Sequence, residues 1–137
     1  MYTRRAAFVD DVEMFDANFF GISGAEAKTM DPQQRMLLEV SYDAFHRAGY
    51  DRKALMGSDA GVFVGQCNND WGRIDWGTTS DKMNPFTGTG MSASISANRI
   101  SYTLGLMNEI SEMLPVSRFY MAQLAMYCNN VGCVPLY

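Results

Sequence analysis

Asp31-Pro-Gln-Gln-Arg-Met-Leu-Leu-Glu-Val-Ser-Tyr-Asp-Ala-Phe-His-Arg-Ala-Gly49 is the stretch on which the fold class turns. Asp31 stands where a capping side chain belongs, and Pro32 fits the first helical position. Gln34 follows Asp31 at capping-box spacing. Leu37, Val40, Ala44 and Ala48 recur at helical spacing, with Leu38, Tyr42 and Phe45 widening the apolar face. Arg35 and Glu39 point the other way, and Asp43 with Arg47 makes an i,i+4 pair worth about 0.3 kcal/mol. Gly49 suits the C′ position, where positive φ is wanted. The spacing predicts a half-buried helix over 32–48. Gly61-Val-Phe-Val-Gly65 is an unbroken apolar run between glycines and reads as a strand buried on both faces. Helix followed by strand predicts an α/β fold.

Working outward, Phe15-Asp-Ala-Asn-Phe-Phe-Gly-Ile-Ser23 reads as a turn, punctuated by Gly21 and Ser23-Gly24, whose three aromatics pin it to a core. Residues 51–59 read as a polar connection. Residues 66–86, with Asn68-Asn-Asp70, Trp71, Trp76 and Pro85, read as a long irregular loop of the kind that carries function. Thr87-Gly-Thr-Gly90 opens a second helix over about 92–104, its inner face made by Ala93, Ala97, Ile100 and Leu104. The small residues Ser92, Ala93, Ser94, Ser96 and Ala97 let another backbone approach closely, and Gly105 ends the helix. From Met107 the texture changes. The last 31 residues hold four of the 11 methionines and two of the three cysteines, but only Glu109, Glu112 and Arg118 are charged. Met121, Leu124, Ala125 and Cys128 would share one side of a helix over 118–128.

Composition narrows the function. The chain has 137 residues, 47% hydrophobic and 19% charged, which excludes a disordered segment. Fifteen acids against 11 bases, net −4, argue against a nucleic-acid partner. No apolar run approaches the roughly 18–20 residues of a membrane span. Ala6-Ala-Phe-Val9 is too short for a signal core before Asp10-Asp11. Three scattered cysteines make no disulfide framework, so the expected setting is reducing and cytoplasmic.

Several residue sets resemble chemistry without completing it. Gly88-Thr-Gly90-Met-Ser-Ala93 fits a dinucleotide G-x-G-x-x-A form, but that mechanism needs a buried strand directly before it, and Lys82-Met-Asn-Pro85 is a poor one. A plain helix-entry turn is the favoured reading. His46, the single histidine, reads as a solvated neighbour of Arg47 with no partner for general-base work. Cys67, Cys128 and Cys133 have no zinc-ligand spacing and read as small apolar residues. Asp70, Asp75 and Asp81 read as solvated loop carboxylates, and Trp71 and Trp76 as loop anchors. No catalytic, cofactor-binding or metal-binding residue is assigned, and no cofactor is expected.

Taken in order, Phe15–Ser23, Met30-Asp-Pro-Gln-Gln-Arg-Met-Leu-Leu-Glu-Val40, Gly61–Gly65, Thr87–Gly90 and Ser96-Ala-Asn-Arg-Ile-Ser-Tyr-Thr-Leu-Gly-Leu106 resemble the start of a β-ketoacyl synthase domain. The resemblance is to the ketosynthases of type I polyketide synthases and covers residues 1–106. It implies part of the N-terminal half of a thiolase-like fold. It also implies a parent acyltransferase that condenses carrier-bound acyl and malonyl-type thioesters, partnered by acyl carrier protein and dimeric. In that family a cysteine at a helix N-terminus, which favours its thiolate, takes the acyl chain; two histidines and a lysine support decarboxylation.

The chain departs from the family at that point. After Leu106 no cysteine follows until Cys128, and its Met126-Tyr127-Cys128-Asn129 setting does not match the nucleophile motif. His46 matches neither family histidine. Residues 107–137 are therefore expected to be a non-matching tail. Codons for Glu112-Met-Leu-Pro-Val116, written GAG-ATG-CTG-CCT-GTN, spell Asp-Ala-Ala-Cys in a shifted frame, the family's nucleophile motif. The expectations are an inactive chain, a strand 61–65 short of neighbours and a weakly stable fold. A non-catalytic oligomerisation piece is the alternative, with dinucleotide binding third.

Overall fold

A computed structural model describes residues 10–66, 69–73, 85–107, 111–115 and 123–128. Its elements run α1 (Gly24–Thr29), α2 (Pro32–Arg47), α3 (Arg52–Leu55), β1 (Ala60–Gln66), a 3₁₀ turn (Trp71–Arg73), α4 (Thr87–Met91), α5 (Ile95–Leu104), β2 (Ser111–Pro115) and β3 (Gln123–Cys128). The α/β reading holds, and β1 is buried along its length except for the half-buried Phe63.

The predicted helix forms over Pro32–Arg47, with Asp31 capping through its carboxylate, which accepts from the Gln33 N–H at 2.8 Å. Its buried stripe is Gln34, Leu37, Leu38, Ser41, Ala44 and Phe45. The expected stripe through Val40 and Ala48 is wrong: Val40 is 49% exposed and Ala48 lies at the exposed C-cap. The i+3/i+4 rows that meet α5 and β1 run through 34, 37, 38, 41, 44 and 45, one row over from the expected stripe. Asp43 and Arg47 pair at 2.8 Å on the solvent side as expected. Gly49 has φ 89° and Gly105, the C-cap of α5, has φ 72°.

Ser23 and Asp51 each cap a short helix where the sequence reading expected a turn and a connection; their side chains accept from the N–H groups of Glu26 and Ala54. Thr87–Met91 is a helix of its own, separated from α5 by a turn at 92–94 that leaves Ala93 half-buried. Ala97, Ile100 and Leu104 do form the inner face of α5, joined by Ser96 and Ser101. Phe20 is buried, and Phe19 meets Phe20 and Tyr42 edge-on, with ring centroids 5.0 and 4.8 Å away. The aromatic turn is thus pinned to one apolar cluster with Ile22, Leu38, Phe45, Leu55, Val62, Val64 and Ile100. Burying each such side chain contributes about 1.5–3 kcal/mol.

The sheet corrects two expectations. Its order is β2-β1-β3, with β2 parallel to β1 and β3 antiparallel. Val62 faces Ser111 on one side and Met126 on the other. The strand predicted to lack neighbours has one on each edge. Gln123–Cys128, expected in a helix over 118–128, is a strand because its backbone answers the second edge of β1, whose N–H and C=O groups need partners. The route from β1 through α5 to β2 is the parallel crossover that such a pair requires.

Candidate functional site

The densest polar organisation lies where the Met30–Arg35 segment meets the segment from Phe86 to Ser96, near the carboxyl end of β1. The Asp31 N–H donates to the Gly90 carbonyl at 2.8 Å. Gln34, 1% exposed, sends its Nε2 to the carbonyls of Thr89 and Ser92 at 3.1 and 3.0 Å. The capping box is therefore not closed: Gly90 takes the Asp31 N–H, and the Gln34 amide crosses to another segment. The Trp71 indole donates to the Thr29 carbonyl at 3.0 Å, which is the anchoring role expected of it. Ser96 donates to Gln66 Oε1 at 2.7 Å and so fixes the end of β1 to the start of α5.

Gly90 is forced by this geometry. A Cβ there would stand 2.5 Å from the Thr29 carbonyl oxygen. Gly88 has open space around it. Gly90 thus serves close packing against the end of α1, and Gly88 makes no close contact. No buried strand leads into them within the described residues, since a turn at 85–86 precedes α4.

Asp31 is buried, and burial is the main cause that raises its carboxyl above the usual carboxylate range. Asp70 adds to the rise, while the N–H and side chain of Gln33 and the Arg35 charge oppose it. Burial likewise raises Glu39 and lowers Arg35. On the far side, α1 is tied to α5 by an ion pair between Glu26 and Arg99, whose side chains are 20% and 9% exposed. Sequence reasoning missed this pair, the Ser96–Gln66 bond and the cross-segment role of Gln34. Their signal is a charged or amide residue on an otherwise inward-facing helical row.

His46 is exposed and lies 6.0 Å from the Tyr42 ring, centroid to centroid. Asp70 is described, and its backbone carbonyl accepts from the Arg73 N–H. Cys128 takes its place opposite Ala60 in β3. Cys67, Cys133, Asp75, Asp81 and Trp76 lie outside the described residues. Among the described residues no group of three metal-ligating side chains assembles, and no helix is long and apolar enough to cross a membrane.

The profile of the β-ketoacyl synthase N-terminal domain matches residues 1–109. The chain is 49% identical over 106 residues to Polyketide synthase GfsA of Streptomyces halstedii, covering 77% of this chain and 1% of that protein. It is 50% identical over 93 residues to the non-reducing polyketide synthase olcA of Penicillium canescens, covering 68% of this chain and 4% of the other. The fold is similar to a ketosynthase from module 6 of the bacillaene synthase of Bacillus subtilis 168. The TM-score is 0.61 and the identity 34%, over 78% of this chain and 18% of that one. The chain thus spans a few per cent of the curated relatives it matches and under a fifth of the solved ketosynthase.

Proposed function

This chain belongs to the β-ketoacyl synthase family, as part of the N-terminal domain with a partial thiolase-like fold, and from that premise we propose that it is a polyketide synthase ketosynthase segment without condensing activity of its own. The whole enzyme condenses an acyl chain with a malonyl-type unit, both delivered as carrier-protein thioesters, with loss of carbon dioxide. It works in the cytoplasm as a dimer. The observation that supports the reading is that both of the most specific family strings make cross-segment polar bonds. Asp31 and Gln34 of the first reach Gly90, Thr89 and Ser92 at the entry to the second, and Arg99 within it reaches Glu26.

The residues present support the absence of condensing activity in this segment. Decarboxylative condensation needs an activated thiolate with paired histidines, and the chain has one histidine, exposed on α2 beside Tyr42. Cys128 stands in a strand rather than at a helix N-terminus, the position that would lower a thiol pKa. Residues 1–106 are the family segment and 107–137 a tail read from a shifted frame. The family match ends at 109, the charge content falls beyond it, and the Glu112–Val116 codons can encode Asp-Ala-Ala-Cys.

Two measurements test this. Alkylation kinetics at pH 7 should show three thiols of ordinary rate; one thiol reacting far faster than the others overturns the assignment of inactivity. Sequencing the coding DNA should show an Asp-x-Ala-Cys codon run in another frame near residue 112; its absence rejects the shifted frame.

A further inference from the structure

Beside the Asp31–Gly90 junction, with Phe86 and Thr89 in its lining, a groove of about 720 Å³ runs between the Phe20–Ile22 turn, α3 and the outer side of α5. Its walls are apolar at Phe20, Ile22, Met56 and Ile95, and its charged residues are Arg52, Arg99 and Glu26. We propose that this groove binds a small amphiphile: one anionic head, carboxylate or phosphate, on a linear apolar body.

The first support is charge. The chain carries a net −4, yet this groove holds two guanidinium groups against one carboxylate, a local reversal of sign. Glu26 is committed to Arg99. Arg52 donates to the carbonyls of Phe19 and Thr103 and lies 5.7 Å from the Phe19 ring centroid. Those contacts fix its orientation without cancelling its charge, since among the described residues no carboxylate reaches ion-pair distance of it. The second support is size and lining: the volume falls within the roughly 300–1,000 Å³ of small-ligand sites, which pair apolar walls with a few placed polar groups. This proposal does not rest on the family reading.

Octanoate titrated into the 137-residue chain, below its micellar range, tests it through the methyl resonance of Met56, which is 68% exposed on the groove wall. The expected result is a saturable shift, weakened about tenfold or more in Arg52→Gln, the loss of one charge-assisted contact. Octanol and acetate should each bind at least about tenfold more weakly, lacking head or tail respectively. An octyl phosphate arm assigns the head: the tighter of the two anions is the better match. Added salt should weaken octanoate and leave octanol unchanged in the unmodified chain, a readout that needs no variant to fold. Octanol binding as well as both anions, an Arg52→Gln affinity equal to the original, or no saturable shift at Met56 would each overturn the proposal.

Discussion

Two parts of the packing around α2 are held by different physics. In the middle, Leu37, Leu38 and Phe45 meet Val62, Ile100 and Leu104 in an apolar contact that any well-fitting set of side chains of the same volume would satisfy. At the amino-terminal end of α2, the contacts are directional. A backbone N–H, an amide and an indole each reach a carbonyl of another segment, and a glycine makes room for that approach. The first region asks for volume. The second asks for named atoms at named places, so its residue identities are far less exchangeable. The Met30–Arg35 string falls in the second, whereas the Ser96–Leu106 string sends Ile100 and Leu104 into the first.

Leu38→Ala is expected to cost most, about 2–5 kcal/mol, because Leu38 is fully buried in the cluster and its removal leaves a cavity. Leu38→Met should recover all but about 1.5 kcal/mol or less, as volume-conserving swaps do. Denaturant midpoints of the two variants measure the difference; equal losses would mean that the middle of the contact is as particular as its end. Gly90→Ala comes next, at about 1–3 kcal/mol, because its methyl meets backbone rather than a side chain that can turn aside. No volume-matched residue should rescue it, whereas Gly88→Ala, with open space around it, should change stability by no more than about 0.5 kcal/mol. Gln34→Leu keeps the burial but strips two carbonyls of their donor, an expected loss of about 1–3 kcal/mol in the same measurement.

The smallest effect is a pH slope. Burial raises the Asp31 carboxyl, so the folded chain keeps that proton to higher pH than the unfolded chain does. Below the ordinary carboxylate value both states are protonated, and above the raised value both are ionised. Between the two, stability falls as pH rises. Asp31→Asn retains a good cap and should flatten that part of the stability–pH curve. An unchanged slope would assign the titration to another group, with Glu39, also raised by burial, the first to examine.

Periodicity and punctuation made the larger elements legible: Pro32–Arg47 from its cap, proline and following glycine, β1 from its flanking glycines, and the end of α5 from Gly105. Those signals are local, acting over one turn or one strand. What escaped was decided by partners distant in sequence. Gln34 satisfies every requirement of a capping box, and only the Gly90 carbonyl at the Asp31 N–H shows that it does something else. Val40 is as apolar as Leu37, and its exposure depends on which row of the helix meets α5 and β1. Gln123–Cys128 carries an apolar spacing that suits a helix, and the open edge of β1 overrides it. The Glu26–Arg99 pair joins residues 73 apart, a link that no local pattern encodes.

The bond from Gln34 to Ser92 spans 58 residues, and this separation has a consequence for how the chain comes to fold. Helix α2 can begin to form from its own turns as soon as it is made. Its first-turn amide then has no acceptor until residues 89–92 arrive, and closing so wide a loop is an entropic cost met before any of its contacts is gained. On a ribosome, the polypeptide up to residue 88 would leave the synthesis machinery with Asp31 and Gln34 unmatched. The junction at Gly90 is thus completed only after α2 and β1 have both been made.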